Sequence, residues 1–137
     1  MKGKVFLDTN ILVYCYSKDE PTKQQAAIEV ASLSEVLIST QVLQEICNTM
    51  SRKFKLSWVE IETLLAELNG NFKVQTNTFH TIRSACRIAS VFKFSFYDSL
   101  IVAAALEAGC EVLYSEDLQD GQIIENQLLV KNPFAKI

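Results

Sequence analysis

Histidine is almost absent from this chain: His80 is the only one, so a metal site built on histidines has no basis. Within a helical pattern, a lone histidine of this kind is expected at the helix surface. The four cysteines, Cys15, Cys47, Cys86 and Cys110, include no C-x-x-C pair. Each falls in an apolar or helical stretch, which is the pattern of reduced thiols in a core rather than of disulfides or zinc ligands. No apolar run approaches the roughly 20 residues that span a bilayer. The opening residues also lack the basic region and apolar stretch of a secretory signal, so the expectation is a soluble cytoplasmic protein. Excess positive charge is missing too: 13 Lys and Arg stand against 16 Asp and Glu, a net charge of -3. That excludes a protein that grips nucleic acid by bulk positive charge. It leaves room for an enzyme with a cation in an acidic pocket, because a bound ion supplies positive charge where a phosphate approaches. There are no internal repeats and no low-complexity tracts, and only Lys18–Pro21 and Gln119–Gln127 read as longer connections.

What is present is apolar sequence in short segments. At 137 residues and 49% hydrophobic, the chain can close one core and is too short for two ordinary domains, so a single domain over 1–137 is expected. Val5–Leu7, Val36–Ser39, Phe72–Thr76, Val112–Tyr114 and Leu128–Val130 have the length and composition of strands. Between them lie helical patterns: Thr9–Tyr16, a segment from Pro21 to about Ser32, one following Thr40 as N-cap, and Phe79–Phe92. In Phe79–Phe92 the expected inner face is Ile82, Ala85, Cys86 and Ala89. Ser57–Glu60 and Ser95–Asp98 have capping-box spacing, and the helices they open are expected to stop at Gly70 and Gly109. Trp58 is expected to pack inward. Leu100–Ala108 is apolar almost all round and should be buried. Strands that read as continuous apolar runs and alternate with helices imply βαβ units. The fold class is therefore α/β, with a mostly parallel central sheet, right-handed crossovers and helices on both faces.

In such a sheet, residues just past the strand ends gather along one edge. Asp8 follows the first strand and Glu116 and Asp117 follow a later one, while Glu45 and Asp98 sit on helices that can point at that edge. Each acid taken alone has a structural reading. Asp8 can cap the following helix, Asp98 can be the acidic half of a cap, and Glu45 either reaches solvent or has a partner, the first being commoner. If the acids converge, their charges repel and call for a cation. A hard divalent ion with oxygen ligands, Mg²⁺ or Mn²⁺, fits that need and suits hydrolysis of a phosphodiester by activated water. Arg52, Lys53 and Lys55, and separately Arg83 and Arg87, read as solvated faces, the first group being the better candidate for a phosphate-facing patch.

A set of short motifs covers nearly the whole chain: Phe6-Leu7-Asp8-Thr9-Asn10, Ser39-Thr40 followed by Glu45, Phe96-Tyr97-Asp98-Ser99-Leu100, Leu113 to Leu118, and Asn132-Pro133-Phe134. In this order and spacing the chain resembles PIN-domain ribonucleases, in particular the single-domain proteins similar to VapC toxins. The resemblance implies a three-layer α/β/α fold and Mg²⁺- or Mn²⁺-dependent endonucleolytic cleavage of RNA. It places Asp8, Glu45 and Asp98 at the family's three core acids and Asp117 at a more variable fourth, with Asp8, Asp98 and Asp117 as metal ligands. Asn10 and Ser115 match polar positions that orient ligands or water. Glu116 ranks as a neighbour only, and Asp120 as a turn residue before Gly121. A small antitoxin protein and a homodimeric partner are further implications.

Two other classes compete. A strand ending in Asp-Thr-Asn is similar to phosphatases that form an aspartyl-phosphate, but Asn10 stands where those carry a second aspartate, and no convincing lysine follows. A PIN-like scaffold that docks RNA or protein without cutting is the other alternative, and loss of Glu45 or Asp98 would have favoured it.

Overall fold

The computed structural model describes residues 3–136. Among them, six strands form one sheet in the order β3-β2-β1-β4-β6-β5. The strands are β1 (Val5–Leu7), β2 (Val36–Ser39), β3 (Lys73–Gln75), β4 (Val112–Tyr114), β5 (Ile123–Ile124) and β6 (Leu128–Lys131). Parallel pairing joins β1 to β2 and β4, β2 to β3 and β4 to β6, with Phe6 opposite Leu37 on one side and Leu113 on the other. Every residue of β1 and β2 is buried. Because successive side chains point to opposite faces, such continuous burial requires cover on both sides. That cover is helical: α1 (Thr9–Cys15) packs on α2 (Pro21–Ala31) and α3 (Thr40–Arg52), α4 (Trp58–Asn71) packs on α3, and α5 (Phe79–Phe92) packs on α6 (Phe96–Glu107). The three-layer α/β/α arrangement with a mostly parallel sheet is the one expected from the sequence.

Several helix ends form as their sequences dictate. Pro21 occupies the first turn of α2, Ser57 and Glu60 close a reciprocal capping box, and Thr78 and Thr81 do the same for α5. Ser99 to Ala105 of α6 are all buried. The end of α6 is a Schellman turn: Cys110 N–H donates to Ala105 O and Gly109 N–H to Leu106 O, both at 3.0 Å. Gly109 takes φ +77°, where a side chain is strained.

Other expectations are corrected. Ser39, not Thr40, caps α3, its hydroxyl accepting from Val42 N–H; the Thr40 hydroxyl accepts from Asn77 N–H at 3.1 Å and ties α3 to the loop after β3. Gly70 does not stop α4, which runs on to Asn71 because Phe72 N–H still finds Leu68 O. Trp58 is 68% exposed at the start of α4 rather than packed. The buried face of α5 is Thr81, Ala85 and Ile88, so Ile82 and Cys86 turn outward, and of the four cysteines only Cys110 is fully buried. Strand β5 lies inside the segment expected to be a plain connection. It pairs antiparallel with β6 across the three residues Glu125–Gln127. Within that loop Gln127 N–H donates to Ile124 O at 3.1 Å, and the two central residues of this turn, Glu125 and Asn126, take left-handed backbone at φ 54° and 57°. Among the described residues, no single helix is long and apolar enough to cross a membrane.

Candidate active site

The strand order reverses beside β1, and the chain's acids gather beyond the carboxyl ends of β1 and β4, where such sheets open a crevice. Asp8 leaves β1 and becomes the N-cap of α1. It is 6% exposed, and both its oxygens are engaged: Oδ1 accepts from Thr9 N–H at 2.7 Å and Oδ2 from the Ser115 hydroxyl at 2.9 Å. The capping role and membership of an acidic cluster are therefore not alternatives here. Burial pushes the Asp8 carboxyl up to about 7; the bonds from Ser115 and Thr9 oppose that rise, and the neighbouring charges of Asp117 and Asp98 add to it.

Ser115 extends the β4–β6 ladder, its N–H donating to Lys131 O at 3.0 Å, and is fully buried. Its hydroxyl donates to Asp8 and accepts from Asp117 N–H at 3.2 Å, so one side chain locks two acid-bearing loops together. Asp117, at the exposed rim, is raised by partial burial first and then by Asp98, Glu116 and Glu45. Asp98 lies in the first turn of α6, where its N–H donates to Ser95 Oγ at 3.2 Å. Asp8, Asp98 and Asp117 each offer a carboxylate oxygen, and these three oxygens lie within 4.8 Å of one another.

Glu45 stands beside this trio. Its Oε1 accepts from the Thr9 hydroxyl and its Oε2 from Gln41 Nε2 at 3.2 Å, so it has partners rather than reaching free into solvent. It lines the same open cavity as the three aspartates, about 300 Å³ in volume, and Asn10 does too from an exposed position. Glu116 does not face this space: it accepts from Tyr14 OH at 3.0 Å and pairs with Lys23 Nζ at 3.1 Å. Tyr14 in turn meets Phe134 edge-on at 4.8 Å, which brings the Asn132–Phe134 segment against the back of the loop. Asp120 holds the Asn132 N–H at 2.9 Å, as suits a turn residue.

Sequence reasoning gave no role to six residues that line the cavity: Gln41, Asn48 and Thr49 on α3, Tyr97 and Ile101 on α6, and Thr9 on α1. Gln41, Asn48 and Thr49 share with Glu45 a face at helical spacing, which was the available signal. Gln41 is 4% exposed, and its Nε2 also donates to Tyr97 O at 3.2 Å, joining the two helices that carry Glu45 and Asp98.

The donor set fits a hard divalent cation. Three carboxylates within reach of one another offer oxygen only, and burial, with the charges of Asp117 and Asp98 beside it, raises the innermost one, Asp8. A cation there would restore Asp8 to its ionised form.

Comparison with known proteins agrees with this geometry. No curated protein sequence matches the chain. Among solved structures, a toxin–antitoxin complex from Klebsiella pneumoniae is similar at 19% identity and TM-score 0.70, over 96% of this chain and 98% of that one. The sarcin-ricin-loop-cleaving toxin VapC20 of Mycobacterium tuberculosis is similar at 19% identity and TM-score 0.65, over 83% and 90%. FitAcB from Neisseria gonorrhoeae gives 16% and 0.69, over 96% and 99%. At such identities the likeness is one of fold. The PIN domain family, however, matches residues 5–119, from β1 through the loop that carries Ser115 and Asp117, and the chain belongs to that family.

Proposed function

We propose that this protein is a divalent-metal-dependent endoribonuclease that hydrolyses RNA phosphodiesters at the Asp8–Asp98–Asp117 cluster. The observation that carries the reading is the convergence of three carboxylates, from residues far apart in the chain, within 4.8 Å at the mouth of one cavity. Asp8, Asp98 and Asp117 would hold the ion, Mg²⁺ or Mn²⁺. The chemistry such an ion supplies when bound is neutralisation of phosphoryl charge and acidification of water. The chain's own groups do the rest. Ser115 and Thr9 fix the Asp8 carboxylate in one orientation, and Ser115 sets the backbone of Asp117 relative to it. Glu45, held by Thr9 and Gln41, keeps spare lone pairs and is placed to accept a proton from the attacking water. Asn10, on the same wall, can donate to a phosphate or a water.

The fold neighbour named as a toxin–antitoxin complex supports a toxin role with an antitoxin protein as partner; a second copy of the chain is a further partner in this reading. Exposed Trp58, Val59, Phe79 and Val91 supply apolar surface for such contacts.

The test is cleavage of a mixed RNA pool, with DNA alongside, in Mg²⁺ or Mn²⁺, against EDTA and an Asp8→Asn variant. Metal-dependent cutting of RNA that both controls abolish supports the reading. Equal behaviour of wild type and variant, with neither cutting, overturns it and leaves a binding module.

A further inference from the structure

We infer that Tyr97 is a nucleobase platform, on which one unpaired base beside the scissile phosphate stacks. This inference rests on the nuclease reading above and adds to it the residue that receives the base.

Tyr97 is 63% exposed, yet it forms part of the wall of the acidic cavity, one residue before Asp98. An aromatic ring left in water at the lip of a charged site has an apolar face available for a ligand that also carries phosphate. A nucleotide is such a ligand: its phosphodiester goes to the cation and its base needs an apolar surface nearby. The ring is not loose. Phe96 meets it edge-on, with centroids 5.2 Å apart and planes at 75°. The Tyr97 carbonyl is held by Nε2 of buried Gln41, the same group that steadies Glu45. Platform and acid thus share one anchor, which fixes the ring's backbone relative to the reacting centre.

The wall that α3 contributes suits the rest of a strand. Asn48 and Thr49 present amide and hydroxyl groups to the cavity from the α3 face that carries Glu45. Arg52 continues that face, about 10 Å along the helix axis from Glu45, and is exposed with Lys53 and Lys55 close behind. A chain leaving the acid cluster along α3 meets positive charge where its next phosphates lie. Bases within a duplex are already stacked and paired and cannot offer a face to Tyr97, so duplex RNA is the control that the platform must discriminate against.

Binding and cutting are measured separately. Short single-stranded RNAs with one 2-aminopurine are titrated into Glu45→Gln protein, which keeps its metal ligands, in Mg²⁺, with Tyr97 intact or changed to Ala, Phe or Trp. Mixed-pool cleavage is measured for the same Tyr97 changes in otherwise wild-type protein. Expected are 2-aminopurine quenching with Tyr97, its loss in Tyr97→Ala with Kd weakened about 5- to 150-fold, and retention in Phe and Trp. In cleavage, Tyr97→Ala should raise KM more than it lowers kcat, with an unchanged melting temperature, since the ring is mostly outside the core. Unchanged binding and KM in Tyr97→Ala, or duplex RNA bound as tightly as single strands, overturns the platform while the wild type still cuts. Conversion of a dimer to a monomer by Tyr97→Ala also overturns it, the ring then being covered by a second copy. A wild type that cuts nothing overturns the nuclease reading instead, and this inference with it.

Discussion

Replacing Asp8 with Asn should stabilise the metal-free protein while destroying its site. Burial lifts the Asp8 carboxyl from 3.8 to about 7. A rise of about three units corresponds to ~4 kcal/mol at about 1.4 kcal/mol per unit. Because the folded pKa lies above the unfolded one, the unfolded chain gives up this proton first as pH rises. The favourable contribution is complete below about pH 4 and is lost progressively as pH climbs through about 7. Asparagine carries no charge, can still accept from Thr9 N–H, and can donate to the Ser115 hydroxyl where aspartate accepted. Allowing for imperfect rearrangement of that bond, Asp8→Asn should gain about 2–4 kcal/mol at pH 8 in EDTA, and less than about 1 kcal/mol at pH 4. For a chain of this size that is roughly 6–15 °C in Tm at pH 8. Scanning calorimetry at both pH values, with EDTA and then with excess Mg²⁺, reads it. Mg²⁺ should stabilise the wild type, by about 2.7 kcal/mol at a hundredfold excess over Kd, and so raise its Tm, while leaving the variant nearly unmoved. An Asn variant that melts at or below the wild type at pH 8 in EDTA would refute the account of a buried, uncompensated charge.

Glu45→Gln should lower kcat by about 10²- to 10⁴-fold with little change in Mn²⁺ affinity, whereas Asp98→Asn should weaken Mn²⁺ binding itself; titration of metal alone separates the two. Ile38→Ala, in fully buried β2, should cost about 2–5 kcal/mol by urea unfolding. A maleimide should label exposed Cys86 quickly in the native protein and reach Cys110 only after unfolding, since Cys110 is buried and its thiol is pushed up to about 11.

The strands and the acids were legible because each is marked by a local signal. Val5–Leu7 and Val36–Ser39 are continuous apolar runs, and the acids follow strand ends or open helices, where a parallel sheet collects chemistry. What was not legible depends on registration or on contacts between distant segments. The inward face of α5 is set by packing against α6, so Thr81, whose hydroxyl donates to Glu107 at 2.6 Å, goes in while Ile82 turns out. Ser39 and Thr40 are both good caps, and the choice fell to the one whose neighbour was needed by Asn77. Strand β5 was missed because it is two residues long and its loop, Glu125-Asn126-Gln127, holds neither the glycine nor the Asn-Gly or Asp-Gly pair that announces a hairpin. Gln41 and Tyr97 carry no signal as residue types; only their place beside Glu45 and Asp98 gives them a role.

The placement of β1 between β2 and β4 has a consequence for how the protein is made. Asp8 and Glu45 belong to the early part of the chain, while Asp98 and Asp117 belong to the late part, and β4 pairs with β1 only after more than a hundred residues exist. The Ser115 hydroxyl that orients Asp8 arrives from that same late segment. A growing chain therefore carries its first aspartate through most of its synthesis without the partners that would make a cation site. The acidic cluster is therefore a property of the closed sheet, formed only when the early and late halves of the chain have met.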